Sequence, residues 1–116
     1  MPAHYQNVSI EEMRGLLDSS KGWKESESEG RVKESVFHYN LKRHPHILVK
    51  IYTGIKKESG ASRSVGKDAI RVCAVNLATD RGWIKAKRVH RTQNWRDNLK
   101  GRIIQVISES NKRFDS

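Results

Sequence analysis

The sequence predicts an α+β fold, a four-stranded antiparallel sheet with an N-terminal and a C-terminal helix packed on one face, in the order α-β-β-β-β-α. Three observations predict it. Apolar residues recur at helical spacing near both ends of the chain, at Ile10, Met13, Leu16 and Leu17 and again at Trp95, Leu99, Ile103 and Ile107. Between these segments the apolar pattern switches to a period of two, in four runs separated by turn residues. The length of 116 residues suits a single domain, 1–116, with a modest core.

The first helix is expected over residues 9–20. Ser9-Ile10-Glu11-Glu12 is a capping-box pattern, in which the Ser9 hydroxyl accepts from the Glu12 N–H and the Glu12 side chain reaches back. Gly22 is a plausible stop. KESESEGRVKES, residues 24–35, has almost no apolar content and reads as an exposed linker, followed by a basic sheet–helix core over 36–113.

In the first strand Phe37, Tyr39 and Leu41 alternate with His38, Asn40 and Lys42. In the second, Ile47, Val49, Ile51 and Thr53 alternate with Leu48, Lys50 and Tyr52, and Arg43-His44-Pro45-His46 supplies the turn between them. Residues 68–75 are rich in β-branched side chains and form the third strand. Thr79-Asp80-Arg81-Gly82 is turn chemistry, and Trp83 to Lys87 begins a fourth strand that ends near Val89 or His90. The last helix is capped by Thr92 or Asn94, with Asp97 favourably placed in its first turn. Gly101 weakens it by about 1 kcal/mol relative to alanine.

Charge points to a class of partner. The chain holds 23 Lys and Arg against 13 Asp and Glu, a net of +10. Residues 1–36 hold five basic and seven acidic residues, so the excess belongs to the remainder. Such asymmetry favours nucleic acid or an anionic surface. The single cysteine, Cys73, excludes an internal disulfide and fits a reducing, cytoplasmic setting. No apolar run reaches transmembrane length and the N-terminus lacks signal-peptide character, so no membrane partner is expected.

Pleating assigns the outward residues. Lys50 and Tyr52 oppose the inward Val49 and Ile51, and Arg71 opposes Ile70 and Val72. Trp83, Lys85 and Lys87 oppose Ile84 and Ala86. These outward positions contain cations and aromatic rings and no acid, the combination that binds single strands by stacking and phosphate neutralisation. The loop KKESGASRSVGK, residues 56–67, adds Lys56, Lys57, Arg63 and Lys67 among glycines and serines whose backbone can approach phosphate. It is not an NTPase P-loop: five residues separate its glycines, Asp68 follows the lysine, and a strand follows where a helix is needed. Arg88, Arg91 and Arg96 lead into the last helix, whose N-terminus favours anions, while Trp95 is assigned to the core.

Catalysis is less well supported. No carboxylate pair suggests acid–base hydrolysis, and His38, His44, His46, His90 and Cys73 have no metal-ligand spacing, so no catalytic residue, metal or cofactor is assigned. A small metal-dependent nuclease using Asp68, Asp80 and His90 is one alternative. A protein-interaction module whose basic face meets an acidic partner, and so modulates a host factor, is another.

The stretches GKDAIRVCAV (66–75) and AKRVHRTQNWRDNL (86–99) resemble a pattern from small uncharacterised proteins of bacteriophages, plasmids and other mobile elements. The resemblance covers most of residues 47–107 and implies a setting without implying an activity. HILVKIYTGI, the basic loop and the final helix are similar in plan to the positive-cofactor-type coactivators and the Whirly proteins. That likeness implies single-stranded DNA binding and a homodimer through the C-terminal helix. The N-terminal helix and the acidic linker depart from it.

Overall fold

The computed structural model describes residues 8–29, 33–55, 70–79 and 81–115. Its elements are α1 (Ile10–Leu16), a 3-10 turn (Ser19–Lys21), β1 (Lys24–Glu27), β2 (Ser35–Asn40), β3 (Ile47–Tyr52), β4 (Ile70–Asn76), β5 (Arg81–Val89) and α2 (Trp95–Asp115). The strands form one antiparallel sheet in the order β1-β2-β3-β4-β5.

Ser9 caps α1 as its spacing predicts, its hydroxyl accepting from the Glu12 N–H at 3.1 Å. The helix is shorter than the predicted span, and the 3-10 turn continues it to Gly22, which has a φ of 97°. Only glycine takes that conformation without strain, and a Cβ there would meet the Tyr39 ring at 3.2 Å.

The sheet has five strands where the sequence predicts four. The residues read as an exposed linker supply the fifth: Lys24, Glu25, Ser26 and Glu27 pair with His38, Phe37, Val36 and Ser35. An edge strand pairs through its backbone and can be polar on both faces, so apolar periodicity does not detect it. Glu25 on its helix side accepts a bidentate pair from Arg14 of α1, at 2.8 and 3.1 Å. The same segment ends with Glu34 and Ser35 buried.

On the inner face Phe37, Val49, Ile51, Val72 and Ala74 pack beneath Ile10, Met13 and Leu17 from the α1 region and Trp95, Leu99 and Val106 from α2. Trp95 is fully buried, as predicted. Glu12 of α1 pairs with Arg96 at the start of α2. At the other end of α2, Asp115 accepts from Arg43 and His44 at 2.6 Å each, and Phe114 packs against His44 and His46. The long helix is thus fixed across the sheet at both ends. Among the described residues no helix is long and apolar enough to cross a membrane.

β5 departs from simple alternation. Its nine residues lie against the seven of β4, and the register slips between Val72 and Ala74 and again between Ala74 and Val75. Each extra residue reverses which side chains face the core. Ile84 keeps its predicted inward place opposite Ala74. Ala86, predicted inward, is exposed, and Lys87, predicted outward, stands opposite the buried Val72.

Candidate nucleic-acid interface

Two cross-strand rows define the face away from the helices. One runs Lys24, His38, Lys50, Cys73, and the other runs Ser26, Val36, Tyr52, Arg71, Arg88. Directly opposed residues of an antiparallel pair lie about 5 Å apart at Cβ, close enough for their charges to interact. In the first row two lysines flank a histidine with no acid between them. Like charges so placed are destabilising in isolation.

Partial burial and the flanking charges bias the protonation of this row. Burial, and then Lys24 and Lys50, hold the His38 pKa below its ordinary value. Burial pushes the Cys73 thiol up, against the opposing pull of Lys50 and Arg71. Both groups are therefore biased towards their neutral forms.

The second row is organised by a residue that the sequence reading did not single out. The Glu34 carboxylate, buried at the end of the β1–β2 connection, accepts from the Gly54 N–H at 2.9 Å and twice from Arg71 Nη2, at 2.6 and 2.7 Å. Gly54 takes a φ of 70°, which turns its N–H towards that carboxylate without a side-chain penalty. Held this way, Arg71 lies over the Tyr52 ring, 5.1 Å from its centroid. These groups line an open cleft of about 650 Å³, with Val36 and Lys50 beside them and Glu27 and Glu29 at the β1 rim. The face is therefore not free of acid, contrary to the expectation from alternation, because carboxylates reach it from the segment read as a linker.

The predicted site residues separate into groups. Lys50, Tyr52, Arg71 and Arg88 share the outer face. Lys87 is half-buried on the helix side. Trp83 and Lys85 lie on β5, where the register slips. Arg91 is not a surface residue: it is 2% exposed and its Nη2 donates to the Thr53 carbonyl at 2.8 Å. That bond ties the start of the last helix to the end of β3, a structural role in place of the expected phosphate contact. Arg96 is exposed but paired with Glu12, and its guanidinium lies over Trp95, 4.7 Å from the ring centroid. Lys56, Lys57, Arg63 and Lys67, and the alternative nuclease residues Asp68 and Asp80, lie outside the described residues.

A second, smaller groove of about 330 Å³ runs between the end of β5 and α2, where Arg88, His90 and Arg102 meet Asp97 and Asn98. No group of three or more His, Cys, Asp or Glu able to hold a metal occurs among the described residues. Sequence reasoning missed Lys24 and His38. The signal for His38 was present, since it alternates with Phe37 and Tyr39, but a histidine opposite a supposed linker has no neighbour to give it meaning. Comparison of the chain with known protein families, with curated proteins and with solved structures finds no match.

Proposed function

We propose that this chain binds nucleic acid through the outer face of its sheet, single-stranded DNA in preference to duplex, by phosphate neutralisation with little sequence readout. The observation that carries the reading is the lysine content of that face. Lys24 and Lys50 stand in one cross-strand row with no acid between them. Among the described residues no lysine takes part in an ion pair. A lysine ammonium is a hydrated point charge that attracts phosphate without the bidentate geometry by which arginine reads a base. Tyr52 supplies a ring for stacking, one side of it already covered by Arg71, so electrostatics outweighs stacking in this interface. The sequence between β3 and β4 adds the cations Lys56, Lys57, Arg63 and Lys67 to the net positive charge of the chain.

The setting is DNA metabolism of a phage or other mobile element, in the cytoplasm. It rests on the two stretches that resemble such proteins and on the lone cysteine. Pairing of two copies through α2 has one exposed apolar side chain to draw on, Ile104 at 67%. The sheet face is the surface on which the reading depends.

Fluorescence anisotropy with labelled 20-mers of single-stranded DNA, duplex DNA and RNA, at several salt concentrations, tests it. Binding to single strands in the micromolar range is expected, with log K falling about 0.7 per phosphate contacted for each unit of log salt. Lys24→Glu with Lys50→Glu is expected to weaken binding at least tenfold while the fold melts cooperatively, since neither side chain is in the core. Absence of binding at low salt would overturn the reading and move the search to an acidic protein partner.

A further inference from the structure

We infer that Lys24, His38 and Lys50 form one seat for a phosphate oxyanion, and that filling it draws a proton onto His38. This rests on the nucleic-acid reading above and adds to it a particular site and a dependence on pH.

The geometry comes from register. Lys24 of β1 and Lys50 of β3 are the direct partners of His38 on its two sides. Three nitrogen-bearing side chains therefore rise from adjacent strands at one level of the sheet. The diagonal neighbours on those strands are Ser26, Leu48 and Tyr52, none of them acidic. Along β2 itself the residues on the same face are Val36 and Asn40. The charges directly opposite the imidazole on the two strands beside it are thus the two ammonium groups, and the nearest acids on that side are Glu27 and Glu29 at the β1 rim of the cleft that Lys50 lines. The Glu34 carboxylate lies in the other row, committed to Gly54 and Arg71.

Such a row stays partly discharged while empty. Partly buried, and with Lys24 and Lys50 charged beside it, His38 gives up its proton more readily than a free histidine. A phosphate oxyanion seated between them reverses the sign of the local field, because its charge favours the imidazolium that the lysines disfavour. The protonated ring then adds an N–H donor and a third positive charge. By linkage, affinity rises as pH falls towards the pKa of the empty site and levels off below it. A rise of one pKa unit on binding corresponds to a tenfold gain in affinity.

The site differs from the groove between β5 and α2, where Asp97 stands among the cations. It also differs from a helix N-terminal anion site, since the donors are side chains of three strands.

The test follows the His38 ring proton by NMR from pH 5 to 8.5 in the full chain, assigned with His38→Gln. Two probes are used, inorganic pyrophosphate and a single-stranded oligothymidylate 15-mer, whose bases take up no proton in this range. Both are expected to raise the His38 midpoint by about one unit. Wild-type affinity for the 15-mer should then be several-fold higher at pH 5.5 than at pH 8, approaching the limit of about tenfold, and His38→Gln should lose most of that difference while still binding. An oligonucleotide that binds while the His38 midpoint stays fixed would overturn the seat and leave the nucleic-acid reading standing. If pyrophosphate moves His38 and the oligonucleotide does not bind, the seat stands and nucleic acid is the wrong source of phosphate. If neither probe moves it, the seat is refuted.

Discussion

Replacing Glu34 by glutamine separates the structural and the electrostatic roles of the outer face. Glu34 accepts three hydrogen bonds, one from Gly54 and two from Arg71. Glutamine keeps one oxygen for the Gly54 N–H but turns an amide towards Arg71, donor against donor. Breaking an enclosed ion pair costs about 3–5 kcal/mol. Here the Arg71 side chain is 37% exposed, so it can swing into water and the loss falls to about 1–2 kcal/mol, the lower end of what a hydrogen bond to a charged group contributes. For a chain of this length that is a drop in Tm of roughly 4–8 °C. The same substitution removes a negative charge from the cleft and releases the Arg71 guanidinium. Affinity for a single-stranded oligonucleotide should rise, and the log–log salt slope should steepen by about 0.7, the contribution of one more phosphate. Thermal melts and salt-dependent anisotropy on the same preparation read both. An unchanged Tm would show that the Glu34 network does not hold the β1–β2 connection. A lower Tm with unchanged or weaker binding would show that the second row does not face the polyanion.

Three further outcomes are expected. Arg91→Ala should cost about 2–4 kcal/mol in urea unfolding, through a lost hydrogen bond and a cavity in place of a buried side chain. Its salt slope for oligonucleotide binding should match that of the wild type under folded conditions, and a shallower slope would return Arg91 to the interface. Gly22→Ala should lower the unfolding free energy by about 1–2 kcal/mol, read as a lower urea midpoint with an unchanged slope, because alanine is strained at positive φ. In the free protein, the folded-state pKa of His38 lies below its unfolded value near 6.5. Its contribution to stability is therefore present above pH 6.5 and lost as pH falls through the folded value. His38→Gln should flatten that part of the stability curve, and a curve identical to the wild type would contradict the assigned direction.

What was legible in the sequence followed from periodicity. Ile47, Val49 and Ile51 alternate cleanly, and the strand they form buries those residues with Leu48, Lys50 and Tyr52 less covered. The Ser9–Glu12 spacing marks the start of α1 correctly. Three features were illegible for physical reasons. β1 is an edge strand of Lys, Glu and Ser whose pairing is made by its backbone. The slips in β5 depend on how that strand twists against β4, which no local pattern encodes. The burial of Arg91 depends on a carbonyl at Thr53, 38 residues away in sequence.

These misses share a cause that bears on function. Charge in a sequence is countable, but its pairing is not, and here pairing divides the two kinds of cation. Arginine, planar and less strongly hydrated, suits enclosed and bidentate contacts. Arg14, Arg71 and Arg96 bind Glu25, Glu34 and Glu12, and Arg43 binds Asp115, while Arg91 binds a backbone carbonyl. Glu12 and Glu34 thereby tie α1 and the β1–β2 connection to the basic remainder, and Glu25 ties β1 to α1. Lysine, strongly hydrated, is left outside these pairs. Arg71, Arg91 and Arg96, named as phosphate contacts from the sequence, thus make bonds within the fold, while Lys24 and Lys50 stand on the outer face outside any ion pair. On the proposed reading, such a face is expected to bind a polyanion with steep salt dependence and weak base preference. Exchanging its lysines for arginine should change that behaviour. Lys24→Arg with Lys50→Arg preserves charge, so the salt slope should hold, but the planar guanidinium can form forked contacts and stack on bases. Discrimination between homopolymers, measured by anisotropy at fixed salt, should then increase. If the arginine variant remains as indifferent to base as the wild type, the point-charge account of this face is wrong.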